Sequence, residues 1–259
     1  MLIGVDDPAD ERLDDYRRLR ARESDEILWA EGPTVVERLL RSPLAVRSIL
    51  ATARAVERLG LHRNELPVFV ASQAVINEVV GFDLHRGVIA AAERPPLRPF
   101  DEVVTNARRL VILEGLNDPE NLGAIGRSAR ALGADGLILD PTCADPFYRR
   151  SVRTSMGELL HLPIARLDLG EALDRLGSAG WDVWALTPRA DAAPIGTSPV
   201  PDRLALLVGA EGPGLSEGIL ARHHNVRIPI RADVDSLNVG HAVAAALAVV
   251  RAISEGAPP

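Results

Sequence analysis

The chain has 259 residues, 47% of them hydrophobic, with a net charge of −7 and a single cysteine. That length supplies two modest domains or one large one with a real core. It excludes a disulfide or cysteine-metal framework within one chain, and no run approaches the ~18 apolar residues of a membrane span.

The acidic first stretch, "MLIGVDDPADERLDD", has no signal-peptide apolar core, so a cytoplasmic location is the expectation. Short apolar runs then alternate with helical patterns. Strands are predicted at 27–31, 46–51, 67–71 and 87–92, with a helix at 33–42, which makes a small α/β unit. "ERPPLRPFDE" (93–102) holds three prolines and reads as a linker, giving domains 1–98 and 103–259. Beyond it, strands are predicted at 109–114, 136–140, 182–186, 203–209 and 226–230. Helices are predicted at 121–133, 169–179, 215–223 and 239–254. The pattern implies a mostly parallel sheet covered by helices on both faces. The last helix is apolar on nearly every side, which predicts burial or a subunit interface.

All 29 basic residues are arginine, so any anion contact uses a planar guanidinium suited to phosphate. The acidic total argues mildly against a nucleic-acid partner, although local patches outrank totals. The densest basic run of the second half is "FYRRSVR", where Arg149, Arg150 and Arg153 are candidate phosphate contacts or a solvated face.

Three turns bear glycine or asparagine. In "NDPENLGAIGR" the glycines Gly123 and Gly126 fall inside the helix, so the G-x-G-x-x-G dinucleotide fingerprint fails on spacing. Leu122, Ile125, Ala129 and Leu132 form an apolar stripe, and Arg127 projects from roughly the opposite side. Asn121 sits near the helix start, able to cap it or to reach a ligand. In "LALLVGAEGPGLSE" a buried strand ends at Gly209, Gly212 and Gly214 follow, and Glu211 sits at the tip. Glycines at a strand end allow close backbone approach to a ligand. In "RIPIRADVDSLNVGHAVA" a loop leads to the last helix, with Ser236 and Asn238 at its N-terminus. Each turn taken alone fits ordinary capping.

Together, "NDPENLGAIGRSARALGADG", "LLVGAEGPGLS" and "IPIRADVDSLNVGHAVA" closely resemble the motifs of the SpoU (TrmH) family of RNA 2′-O-ribose methyltransferases, in the SPOUT superfamily. The resemblance covers about 106–254. "EGPTVVERLL" and "VGFDLHRGVIA" are similar, less distinctively, to the L30e-like RNA-binding domain often fused to that catalytic domain. The resemblance implies an α/β fold whose C-terminal parallel sheet carries a deep trefoil knot, with a smaller N-terminal L30e-like domain. It implies S-adenosylmethionine as cofactor, gripped by Leu207, Val208, Gly209, Ile228, Pro229 and Leu237. It also implies an RNA substrate (rRNA ahead of tRNA) and a homodimer.

The implied reaction is attack of a ribose 2′-hydroxyl on the sulfonium methyl group. The residues carried over as catalytic are Arg127, Asn121, Glu211, Ser236 and Asn238. In the family the matching arginine is sometimes assigned as a general base. A guanidinium, whose pKa exceeds about 12, is better suited to binding the flanking phosphate and stabilising the incipient alkoxide. Asn121 would orient the arginine or ribose, and the other three would hold the geometry. His241 stands where many relatives carry a small residue. Cys143 is a bystander, since ribose O-methylation needs no covalent intermediate. No metal site is visible, and His223–His224 would not chelate together. A catalytically silent RNA-binding protein of the same fold is the alternative. A nicotinamide-dependent oxidoreductase is a weaker rival.

Overall fold

A computed structural model describes residues 1–21, 26–63 and 65–256. The chain forms two compact units, one of Met1–Pro96 with Phe147–His161, the other of Leu97–Pro146 with the chain from Leu162 onward. The sequence boundary put 147–161 with the second domain, and the contacts put it with the first.

The first unit contains β1 (Leu2–Gly4), α1 (Asp14–Ala21), β2 (Ile27–Glu31), α2 (Pro33–Arg41), β3 (Val46–Ala51), α3 (Ala53–Leu59), β4 (Val68–Val70), α4 (Gln73–Val80) and β5 (Val88–Glu93). Its five strands lie in the order β1-β4-β3-β5-β2, and β5 pairs antiparallel with both β2 and β3. Thr52 and Ser72 accept from the backbone at the starts of α3 and α4, and Pro33 opens α2 with its φ already helical. Tyr16, Leu50, Ile76 and Ile89 lie in its core.

In the second unit, α5 (Phe100–Val104) begins inside the stretch read as a linker and runs past its end, because Phe100 and Val103 bury against the core behind Pro99. There follow β6 (Arg109–Leu113), α6 (Pro119–Ala131) and β7 (Gly136–Leu139). The segment that belongs to the first unit carries α7 (Arg149–Thr154). The second unit resumes with β8 (Ile164–Arg166), α8 (Leu169–Ser178), β9 (Asp182–Leu186), β10 (Ala193–Pro194), β11 (Leu204–Val208), α9 (Glu217–Leu220), β12 (His224–Arg227) and α10 (Val239–Ser254). The seven strands run in the order β10-β12-β9-β11-β6-β7-β8, every neighbouring pair parallel. Parallel strands covered on both faces read as unbroken apolar runs, as LALLV of β11 does with all five residues buried.

Two sequence boundaries shift. The last strand is His224–Arg227 rather than 226–230, because the chain leaves the sheet at Ile228 ahead of Pro229. The helix expected at 215–223 is the single turn of α9. The chain continues from β6 to β7 on one side of the sheet and from β11 to β12 on the other, so the adjacent C-terminal ends of β6 and β11 flank a topological switch point. Open parallel sheets bind ligands there.

Candidate functional site

The loops leaving β6, β11 and β12 meet at that edge. After β6 the chain turns through Glu114–Asn117, and Asp118 caps α6 by accepting from the Glu120 amide at 2.9 Å, with Pro119 as first helical residue. The sequence left Asn121 as a possible cap; the cap is Asp118, because the helix starts at Pro119. Asn121 is 8% exposed and donates through Nδ2 to Asp118 at 2.9 Å. Leu122, Ile125 and Ala129 bury on one side of α6 while Arg127 stands exposed on the other. Arg127 forms no hydrogen bond or ion pair among the described residues.

After β11, Gly209 lies against the turn it opens. A Cβ there would sit 2.3 Å from the Gly214 carbonyl carbon, so no larger residue fits. Gly212 (φ +88°) and Gly214 (φ +68°) take left-handed backbone, and the Gly214 amide donates back to the Ala210 carbonyl at 3.1 Å. This tight turn presents Glu211 at its tip.

After β12, residues 228–238 run without regular structure to Asn238, whose Oδ1 caps α10 by accepting from the Gly240 amide at 3.0 Å. Helix α10 packs on α6, and at Gly240 a Cβ would be 3.2 Å from that of Ala124. The buried side of α10 holds Val243, Ala246, Leu247 and Val250, and the His241 side is exposed.

That packing joins the three turns through side chains. Asn238 Nδ2 donates to Asn121 Oδ1 at 2.9 Å and to Glu211 Oε1 at 3.0 Å. With the Asn121–Asp118 bond, the line runs Asp118–Asn121–Asn238–Glu211. Its two ends are carboxylates, and neither forms an ion pair among the described residues. A cationic group brought to this edge, whether Arg127 or part of a ligand, meets uncompensated negative charge. Asp118 was missed as a site residue. The signal was in the sequence, since aspartate directly before a proline at a helix start is an N-cap signature.

Beside the network lies a cavity of about 360 Å³, within the range of small-molecule sites. Its wall includes Leu186, Val208, Gly209, Glu211, Ile228, Ile230, Ser236, Leu237 and Asn238. Leu237 is 41% exposed on the cavity wall, an apolar surface suited to a ring. The backbone amides of Ile228, Ile230 and Leu237 form no hydrogen bond among the described residues, leaving donors for a ligand. Of the sequence-derived cofactor residues, Val208, Gly209, Ile228 and Leu237 line this cavity. Leu207 does not: its side chain is fully buried in the core of the sheet. Pro229 is exposed between two lining residues. Arg127 is not part of the wall.

One loop away, Asp140 organises the edge. Its carboxylate accepts from the amides of Gly115, Thr142 and Cys143 and from the Thr142 hydroxyl, at 2.7 to 2.9 Å. Burial raises its pKa, but these hydrogen bonds outweigh burial and leave it lowered overall. The buried Cys143 thiol donates to the Leu113 carbonyl, and burial and the Asp140 charge push its pKa up to about 11. It is a structural thiol, not a nucleophile. Among the described residues no helix is long and apolar enough to cross a membrane, and no group of three or more His, Cys, Asp or Glu side chains could hold a metal ion.

Residues 108–248 match the SpoU rRNA Methylase family. Over 94% of its length the chain is 43% identical to 89% of an uncharacterised tRNA/rRNA methyltransferase of Mycobacterium bovis. It is 28% identical to a 23S rRNA (guanosine(2553)-2′-O)-methyltransferase of Bacillus subtilis, covering 95% of this chain and 97% of that one. Among solved structures, an AdoMet-bound rRNA methyltransferase from Sinorhizobium meliloti superposes with a TM-score of 0.81 at 26% identity, over 96% of this chain and 97% of that one. The chain belongs to the SpoU family of RNA methyltransferases.

Proposed function

We propose that the chain transfers the methyl group of S-adenosylmethionine to a ribose 2′-hydroxyl of an RNA, with rRNA favoured over tRNA. The observation that carries this reading is the Asp118–Asn121–Asn238–Glu211 line at the rim of a partly apolar cavity, with exposed Arg127 on the same helix as Asn121. The cavity fits the cofactor by its size, its exposed Leu237 and its free amides. When bound, the cofactor supplies an electrophilic methyl group on sulfur. Held against Leu237 and the free amides of Ile228, Ile230 and Leu237, it would offer that methyl to a ribose oxygen and be left as a neutral thioether.

The hydroxyl must give up its proton, to solvent water in this reading, as the new bond forms, so negative charge grows on oxygen. Arg127, free to reach a substrate, supplies a fixed positive charge and planar donors for that oxygen and the adjoining phosphate. Asn121 and Asn238 hold the turns in register. Glu211 keeps Oε2 to accept from substrate or cofactor, and Ser236 adds a hydroxyl at the wall. The 2′-O name of the Bacillus subtilis relative supports the ribose assignment.

The same reading includes a deep knot in the second unit, supported by the meeting of the 209–214 turn with the chain entering α10. It includes a homodimer through α10, supported by that helix's exposed face with Ala248, an L30e-like RNA-binding role for the first unit, and a cytoplasmic location for the protein. Mapping ribose methylations in total RNA from cells with and without this protein tests it. Loss of one rRNA methylation is the expected result; an unchanged map contradicts the proposal and favours the catalytically silent binder.

A further inference from the structure

The arginine run of 147–153 takes no part in the site above, and the structure sets it on the first unit. Helix α7 packs along β2, an edge strand whose first four residues are nonetheless buried. The segment is fastened there by Arg38, which donates to the Met156 carbonyl at 2.6 Å and pairs with Glu158 at 2.9 Å. Met156 holds a left-handed φ of 55° and Gly157 one of 86°, a turn maintained against local preference.

At 100° per residue, Arg149, Arg153 and Arg150 occupy one sector of α7, while Ser151 and Val152 bury on the other. Arg149 lies 3.6 Å and Arg153 4.0 Å from the carboxylate of Glu31. The Arg149 guanidinium also stacks 4.6 Å above the Phe82 ring. One residue beyond Glu31, the stem of Arg86 crosses Gly32 so closely that a Cβ there would sit 3.2 Å from Arg86 Cδ. Two guanidiniums therefore share the Glu31 carboxylate, the stem of Arg86 runs beside the next residue, and Arg150 follows Arg149 on α7, with Asp83 facing His85 at 3.2 Å. Arg86 and Arg150 are exposed and form no hydrogen bond or ion pair among the described residues. Tyr148, at the start of α7 and next to Arg149 in the chain, is 37% exposed.

Planar cations beside an exposed aromatic ring suit a single-stranded nucleic acid: guanidiniums for phosphates, the ring for a base. We propose that Arg86, Arg149, Arg150, Arg153 and Tyr148 form an RNA-gripping surface on the first unit. This rests on the reading that the substrate is RNA.

The test is fluorescence anisotropy with a labelled single-stranded RNA oligonucleotide of mixed sequence, without cofactor. Arg86→Ser with Arg150→Ser breaks no ion pair among the described residues, and its thermal melting is compared with that of the wild type. Each lost phosphate contact reduces the log–log salt slope by about 0.7. Between about 50 and 200 mM salt the wild type then loses about sevenfold more affinity than the double variant. Arg86→Lys with Arg150→Lys keeps both charges and should keep the wild-type slope. An unchanged slope and affinity in the serine pair, with wild-type melting, overturns the proposal. Methyl transfer by the wild type is measured separately. RNA binding through this face without transfer would leave the surface standing and remove the methyltransferase reading, and transfer with an unaffected serine pair would do the reverse.

Discussion

Asn238 donates to Asn121 across 2.9 Å, although the two lie 117 residues apart in the chain. The bond forms because α10 packs on α6 and each asparagine sits in the first turn of its helix, or caps it. Asn238 also caps α10 through Oδ1, so its two roles can be separated. Asn238→Asp keeps an oxygen for the cap, loses both donated bonds and sets a second carboxylate against Glu211. Thermal melting should shift little, while methyl transfer falls by about 100-fold, the scale of a misplaced reacting group. Transfer within a few-fold of wild type would remove Asn238 from the machinery.

Arg127 is exposed on α6, away from the buried stripe, so Arg127→Ala should melt as the wild type does. It lies outside the cavity wall, so S-adenosylmethionine affinity by calorimetry should be unchanged. Turnover should fall by about 100- to 1000-fold, the usual effect of losing a donor to a growing oxyanion. Arg127→Lys should fail as well, since an ammonium lacks the planar two-point contact.

Gly209 tolerates no side chain, because a Cβ would lie 2.3 Å from the backbone of Gly214. Gly209→Ala must push the 210–214 turn outward and deform the cavity. The expected outcome is a loss of about 1–3 kcal/mol in denaturant unfolding and of calorimetric cofactor binding. Retained binding would mean that the cavity is not the cofactor site.

Asp140 links pH to the stability of this edge. Hydrogen bonds lower its folded pKa below the unfolded value despite burial, so its stabilisation is complete above the unfolded value, about 3.9. The contribution is lost as pH falls through the lower folded value. Asp140→Asn should therefore be less stable at neutral pH and show a flatter acid limb, measured as denaturant midpoint against pH. Parallel curves for the two proteins would remove Asp140 from this role.

Cys143 is buried with its pKa pushed up to about 11. A disulfide reagent should label it only as the protein unfolds, and Cys143→Ala should keep wild-type transfer. Inactivation of that variant, with melting unchanged, would point to a covalent intermediate and away from ribose chemistry.

The long periodic elements were legible in the sequence. The strands at 27–31, 46–51 and 182–186 and the helix at 239–254 stand where their apolar patterns put them. The edge strands β1, β8 and β10 were missed because two or three residues carry no period. Helix α7 was missed for a different reason. Its buried partner is β2, far away in sequence, and its visible pattern is a run of arginines. At the site, Asn121, Glu211 and Asn238 were legible from turn chemistry and family motifs, and the structure adds the hydrogen bonds that join them. Asp118 was hidden behind Asn121, the more conspicuous candidate for the same cap. The separation of Leu207 from the cavity was not legible, because alternate residues of a strand face opposite ways and both faces here are buried.

The central claim is that the methyl group goes to a ribose oxygen. Purified protein is incubated with methyl-labelled S-adenosylmethionine and unmodified rRNA, and the product is hydrolysed in alkali. Alkaline cleavage proceeds through the 2′-hydroxyl, so a methylated ribose leaves an alkali-resistant dinucleotide. The account predicts label in that dinucleotide, and label in mononucleotides, the mark of base methylation, would contradict it.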